Sequence, residues 1–266
     1  REHRKRGRTC MRIAILTGAS SGLGREYTRQ ITAQDHDIDE VWAIARRKDR
    51  LEVLAAQLPC PVRVLPLDLS KTASLDELKK LLEIERPVVR WLVCAAGFGK
   101  ISDIADLDPQ DALDMVNVNC RAAMGVTNLC LPYLTKGSRI LEICSTASFQ
   151  PLPGLGVYAA TKAFLYSYTK ALHHELLFRG VHVTAVCPYW VKDTEFIPVA
   201  RAGKAKQYRH FPLASRSPSV VRLSLAASAA NLWVVTPGLV CSVHRIAAKC
   251  IPHALMVPLL GLLRKG

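Results

Sequence analysis

Residues 12 to 17 (Arg-Ile-Ala-Ile-Leu-Thr) form a short apolar run that passes directly into Gly18-Ala19-Ser20-Ser21-Gly22-Leu23-Gly24 and then into a helical stretch from about Arg25 to Ala33. No other stretch constrains the fold as tightly. The run reads as a strand buried in a parallel sheet. Three glycines in the strand-to-helix turn let the backbone approach a phosphate closely. They also present amide hydrogens at a helix start, where the dipole favours an anion. A merely glycine-rich tight turn is the alternative, but the strand before and the helix after favour dinucleotide binding.

The alternation continues. A strand over 41–45 ends at Arg46 and Arg47, a helix covers 48–57, and a strand over 62–67 leads to Asp68-Leu69-Ser70. At the end of a second strand an acid suits a ribose 2′-hydroxyl, whereas an arginine suits a 2′-phosphate. Arg46, helped by Arg47 and Arg25, therefore points to NADP(H) over NAD(H); ordinary solvated cations at a helix start are the plainer alternative. Asp68 either hydrogen-bonds an adenine amino group or caps the helix expected from about Ser74 to 85. Strand 91–95 then delivers the small-residue loop Ala96-Gly97-Phe98-Gly99.

One long helix is expected over 109–134 with Asn119 inside it, and a buried mid-helix Asn needs a specific partner or a kink. Strand 140–144 ends at Ser145, and strand 181–187 ends at Pro188. Between them Tyr158 and Lys162 stand four residues apart, on one face of a helix bounded by Gly180. A cation held there favours the phenolate and lowers the pKa of a group that ordinarily titrates near ~10. The expected architecture is a single α/β domain: a Rossmann-like, doubly wound parallel sheet with helices on both faces. Every candidate site group falls at a strand's carboxyl end or on a helix beginning there, where such sheets bind ligands.

Composition narrows the function classes. The 266 residues are 50% hydrophobic and 22% charged, which suits one globular domain. The net charge of +14 raises the question of a polyanionic partner. Aromatics are only 6% and nowhere interleave with basic residues, which argues against nucleic acid. The nine cysteines include no Cys-x-x-Cys pair, and Cys94, Cys144 and Cys187 sit in apolar strand-like runs, which fits a reducing cytoplasm. No metal spacing is present. His173 and His174 read as structural.

With these residues collected, the chain from about Met11 to Thr194 resembles the short-chain dehydrogenase/reductase family. Thr17-Gly18-x-x-x-Gly22-x-Gly24 matches its cofactor motif, Ser145 precedes Tyr158 by thirteen residues as in that family, Tyr158 and Lys162 match Tyr-x-x-x-Lys, and Asn119 matches its active-site Asn. The resemblance implies that Tyr158 protonates a carbonyl oxygen while Ser145 hydrogen-bonds it. It implies that Lys162 lowers the Tyr158 pKa and holds the nicotinamide ribose, and that Asn119 holds a water leading to solvent. Gly18, Ser20, Ser21, Gly22, Leu23, Gly24, Arg46, Arg47, Asp68, Leu69, Ala95, Ala96, Gly97, Pro188, Val191 and Thr194 then join Tyr158 and Lys162 as expected cofactor contacts. Two positions depart from the family pattern. Cys94-Ala95-Ala96-Gly97 replaces Asn-Asn-Ala-Gly, and Pro188-Tyr189 replaces Pro-Gly, placing a ring beside the expected nicotinamide position.

The expected organisation is a basic, disordered tail over 1–10, a catalytic domain over 11–242 with a substrate lid over 192–216, and an apolar and basic extension over 243–266. The lid carries six Lys or Arg against Asp193 and Glu195. It suits either an anionic acyl thioester or simply solvent. Apolar stretches 223–241 and 251–263 are broken by prolines. They read as core or as the interface of a homodimer or homotetramer, with membrane-surface contact second. The expected activity is NAD(P)H-dependent reduction of a small-molecule carbonyl, a ketone or a lipid-like 3-oxoacyl group. A catalytically idle NADP(H)-binding protein, serving redox sensing or assembly, is the alternative.

Overall fold

The computed structural model describes residues 10–202 and 213–258. Seven parallel strands form one sheet in the order β3-β2-β1-β4-β5-β6-β7: β1 (Arg12–Thr17), β2 (Glu40–Ile44), β3 (Val62–Leu65), β4 (Val88–Cys94), β5 (Arg139–Ile143), β6 (His182–Val186) and β7 (Val234–Val235). Side chains alternate faces along each strand, and both faces are apolar. From β1, Ile13 and Ile15 enter one core layer, where they meet α3 (Thr72–Glu85), α5 (Ala123–Cys130) and α6 (Gly156–Leu176). Ala14 and Leu16 enter the opposite layer, against α1 (Gly22–Gln34), α2 (Lys48–Ala55) and α8 (Ser217–Ala229). The expected doubly wound α/β architecture, helices on both faces, is what the chain forms.

The strand order turns back on itself between β1 and β4. There the connections leave in opposite directions and open a crevice at the carboxyl edge. Gly18 lies in that crevice at φ +68, and a Cβ on it would stand 2.9 Å from the Ala95 backbone, so close approach as well as conformation requires glycine.

Several elements differ from the sequence expectation. The helix expected over 109–134 is broken. α4 (Pro109–Val116) passes into a π-helical segment (Asn117–Ala122), then α5, then a 3-10 turn (Leu131–Tyr133) containing Pro132, which offers no amide hydrogen. α3 starts at Thr72, before the expected Ser74, behind Lys71. Asp68 does not cap it: its carboxylate accepts from the Ser70 amide at 3.0 Å instead. The final strand is only two residues long. The expected boundary at 242/243 falls inside α9 (Leu239–Cys250), whose Cys241 is buried. Thus the start of the expected extension is integral to the domain. The expected tail, apart from Cys10, and lid residues Lys204, Lys206 and Arg209 lie outside the described residues. No helix among the described residues is long and apolar enough to cross a membrane.

Candidate active site

One cleft of about 1650 Å³ runs along the carboxyl edge of the sheet. That exceeds the ~300–1,000 Å³ of an ordinary ligand pocket and leaves room for a dinucleotide and a second molecule. Every expected cofactor contact named above lines it, from Gly18 to Thr194, and so do Ser145, Tyr158 and Lys162. Arg25 is exposed and does not. Asn119 lies behind the wall, fully buried.

The π-helical segment explains how Asn119 works. Its Oδ1 accepts from the Phe98 amide at 3.0 Å, and its Nδ2 donates to the Phe98 carbonyl at 2.8 Å and to Thr161 Oγ1 at 3.0 Å. One amide thus ties the loop after β4 to α6. A Cβ on Gly97 would come within 2.9 Å of Asn119 Oδ1 and 3.4 Å of Lys162 Nζ, so the bare backbone there lets both side chains approach.

Two contacts stand at the end of β4 and in the loop after it. The Thr17 hydroxyl accepts from the Ala96 amide at 3.0 Å, fixing the loop to β1. The Cys94 thiol lies 3.5 Å from Thr127 Oγ1. Tyr189 is on the cleft wall, where the sequence placed it.

Ser145 Oγ accepts from the Ala147 amide at 3.1 Å and lines the cleft beside Tyr158. Tyr158 packs in a small apolar cluster with Ile101, Met115 and Leu155, and its ring lies 5.3 Å from that of Phe196. Burial pushes its pKa up, which the neighbouring Ser145 hydroxyl only partly opposes. Lys162 Nζ donates to the Ile143 carbonyl at 2.6 Å and stands 5.9 Å from the Tyr158 ring centre. Burial lowers its pKa, against the charges of Glu142 and nearby cysteines. The expected lowering of Tyr158 by the lysine cation is therefore not what prevails here. Desolvation of the buried phenolate prevails.

Among the described residues no side chain caps α1, and its first-turn residues Gly22, Leu23 and Gly24 line the cleft, where a helix start suits an anion. A Cβ on Gly24 would stand 2.3 Å from the Gly18 carbonyl oxygen, so the turn closes only with glycine. Residues after β6 fold back over it: Thr194 Cβ would be 3.3 Å from a Cβ on Gly22. The bare turn, the uncapped helix start and the size of the cleft fit a dinucleotide.

Sequence reasoning missed three contributors. His244 on α9 lines the cleft and pairs with buried Gln150 at 2.6 Å. Glu195, counted only as a lid charge, bonds Arg47. Glu142 is a fully buried carboxylate on β5. Only Glu142 had a visible signal, as the one charged residue in the apolar run Ile140 to Cys144.

Comparison with known proteins agrees with this geometry. Residues 12–204 match the family model described as short chain dehydrogenase. The chain is 31% identical over 198 residues to an uncharacterized oxidoreductase of Staphylococcus epidermidis, covering 74% of this chain and 84% of that protein. It is 34% identical over 200 residues to sulfoacetaldehyde reductase 2 of Chromohalobacter salexigens, covering 72% and 77%. Its fold is similar to that of a short-chain dehydrogenase from Sphingobium yanoikuyae in complex with NADPH, with a TM-score of 0.77 and 24% identity over 92% of this chain and 95% of that one. The chain belongs to the short-chain dehydrogenase/reductase family of oxidoreductases.

Proposed function

We propose that this protein is an NADPH-dependent reductase that converts the carbonyl of a small-molecule ketone or 3-oxoacyl group to an alcohol. The observation that carries the reading is the Tyr158 phenol, buried in the cleft beside Ser145 and Lys162, where burial disfavours its ionised form. A neutral phenol is a proton donor, and reduction of a carbonyl needs one at the oxygen. When bound, the nicotinamide supplies the hydride.

The chain's own residues do the rest. Ser145 holds the carbonyl oxygen, and Tyr158 gives it a proton. Lys162, with one donor spent on Ile143, has its remaining hydrogens for the ribose and for restoring the phenol's proton. Asn119 fixes the Phe98 loop to α6, setting the distance between the cofactor side and the Tyr158 helix. The glycine turn and the start of α1 hold the pyrophosphate, while Arg46 and Arg47 receive a 2′-phosphate. Positioned acid catalysis of this kind contributes roughly 10²–10⁴-fold.

The test is oxidation of NADPH with a panel of ketones and 3-oxoacyl thioesters, repeated with Tyr158→Phe. Turnover by the wild type, lost in the variant while NADPH binding persists, is expected. An unaltered rate in Tyr158→Phe would sink the catalytic assignment. Tight NADPH binding with silence across the panel would favour an idle nucleotide-binding protein.

A further inference from the structure

The cofactor end of the cleft holds a charge arrangement that the proposed chemistry does not use. Arg47, just before α2, reaches over the glycine turn, where its Nη2 donates to Ser21 Oγ at 3.0 Å, Ser20 Oγ at 3.3 Å and Glu195 Oε2 at 2.7 Å. Arg50, in the first turn of α2, donates to the other Glu195 oxygen. Glu195 stands immediately before α7 (Phe196–Arg201) and lines the same cleft as Arg46, Arg47 and both serines. Hydrogen bonds from Arg47 and Arg50 hold its carboxyl down at about 2, so it is anionic throughout the working range. Of the two arginines available to a 2′-phosphate, Arg47 already carries an anion supplied by the chain itself.

We propose that Glu195 sets the discrimination between NADPH and NADH by competing with the cofactor's 2′-phosphate for Arg47. The inference rests on the assignment of Arg46 and Arg47 to that phosphate. A phosphate is a strong, charge-assisted acceptor for a guanidinium. A phosphorylated cofactor therefore takes Arg47 over, but only by giving up the Arg47–Glu195 pair and by bringing a second anion up to the carboxylate. A cofactor with a free 2′-hydroxyl leaves the pair intact. The acid thus penalises the phosphorylated form alone. Arg47 and Glu195 are 39% and 44% exposed, so solvent screens the penalty and keeps it modest.

The 2′-phosphate can be isolated from turnover by calorimetric titration with adenosine 2′,5′-bisphosphate and adenosine 5′-monophosphate, using the wild type, Glu195→Gln, Arg47→Gln and the double variant. In Glu195→Gln the ratio of the two Kd values should widen by roughly three- to tenfold in favour of the bisphosphate. In the Arg47→Gln background the same substitution should have no such effect. An unchanged or narrowed ratio overturns the proposal, and so does a widening that survives without Arg47. A wild type that does not distinguish the two nucleotides, beside a Glu195→Gln that does, would refute the NADPH preference and leave the role of Glu195 standing. A wild-type preference that Glu195→Gln reproduces unchanged would do the reverse.

Discussion

Glu142 offers a measurable test of how this core is built. It lies on β5 with no exposed surface, between Thr127, which donates to its Oε1 at 2.6 Å, and the thiols of Cys94 and Cys130. Among the described residues its Oε2 has no hydrogen-bond partner. Burial raises its pKa from 4.5 to about 7, and the Thr127 hydrogen bond, the neighbouring Cys94 thiol and the charge of Lys162 only partly oppose the rise. The folded value exceeds the unfolded one, so folding takes up a proton between pH 4.5 and about 7. Stability therefore falls as the pH rises through that window, and the full cost is in place above it. At about 1.4 kcal/mol per pH unit, the ionised side chain costs roughly 3 kcal/mol at pH 8. Glu142→Gln removes the charge and keeps the shape. Urea unfolding at pH 5, 6.5 and 8 should show the wild type losing stability relative to the variant by roughly that amount across the range. Parallel pH profiles for the two proteins would refute the reasoning.

Two glycine substitutions test the geometry of the site. In Gly97→Ala the new methyl lies 2.9 Å from Asn119 Oδ1, so the bridge to Phe98 must shift. NADPH-linked turnover should fall by roughly tenfold to 10²-fold, with urea stability nearly unchanged; full activity would show that the Asn119 bridge does not set the site. In Gly24→Ala the methyl meets the Gly18 carbonyl oxygen at 2.3 Å, a backbone contact that no rotamer relieves. A loss of about 1–3 kcal/mol in urea unfolding, together with loss of dinucleotide binding, is expected, and wild-type binding by this variant would refute the account of the turn.

The fold was largely legible because its strands are short, apolar and buried on both faces, so that runs such as Ile13 to Leu16 and Val183 to Val186 stand out without any alternation. The helices were legible in existence but not in detail. Apolar periodicity over 109–134 cannot show that the backbone widens at Asn117–Ala122, the segment in which Asn119 meets Phe98 and Thr161. The boundary at 242/243 failed for the same reason: His244 and Cys241 face inward, at the cleft wall and in the core, on account of the body they dock against. Glu195 carries no local signal at all. Its partner Arg47 is 148 residues away, and only the folding of the strap after β6 over the glycine turn brings them to 2.7 Å.

Tyr158 and Lys162 show where spacing stops being informative. Four residues on a helix place a phenol and an ammonium on one face, and the structure does bring both into the cleft, 5.9 Å apart from ring centre to nitrogen. Spacing gives proximity but not the environment, and the environment decides which proton state is favoured. Here the phenol is buried among apolar neighbours, with the Lys162 ammonium turned to the Ile143 carbonyl. Desolvation dominates at both, and each group is pushed toward its neutral form. A tyrosine held this way is a proton source rather than a resident base. In the reduction proposed above such a group would serve directly as the proton donor, whereas alcohol oxidation would first have to remove its proton.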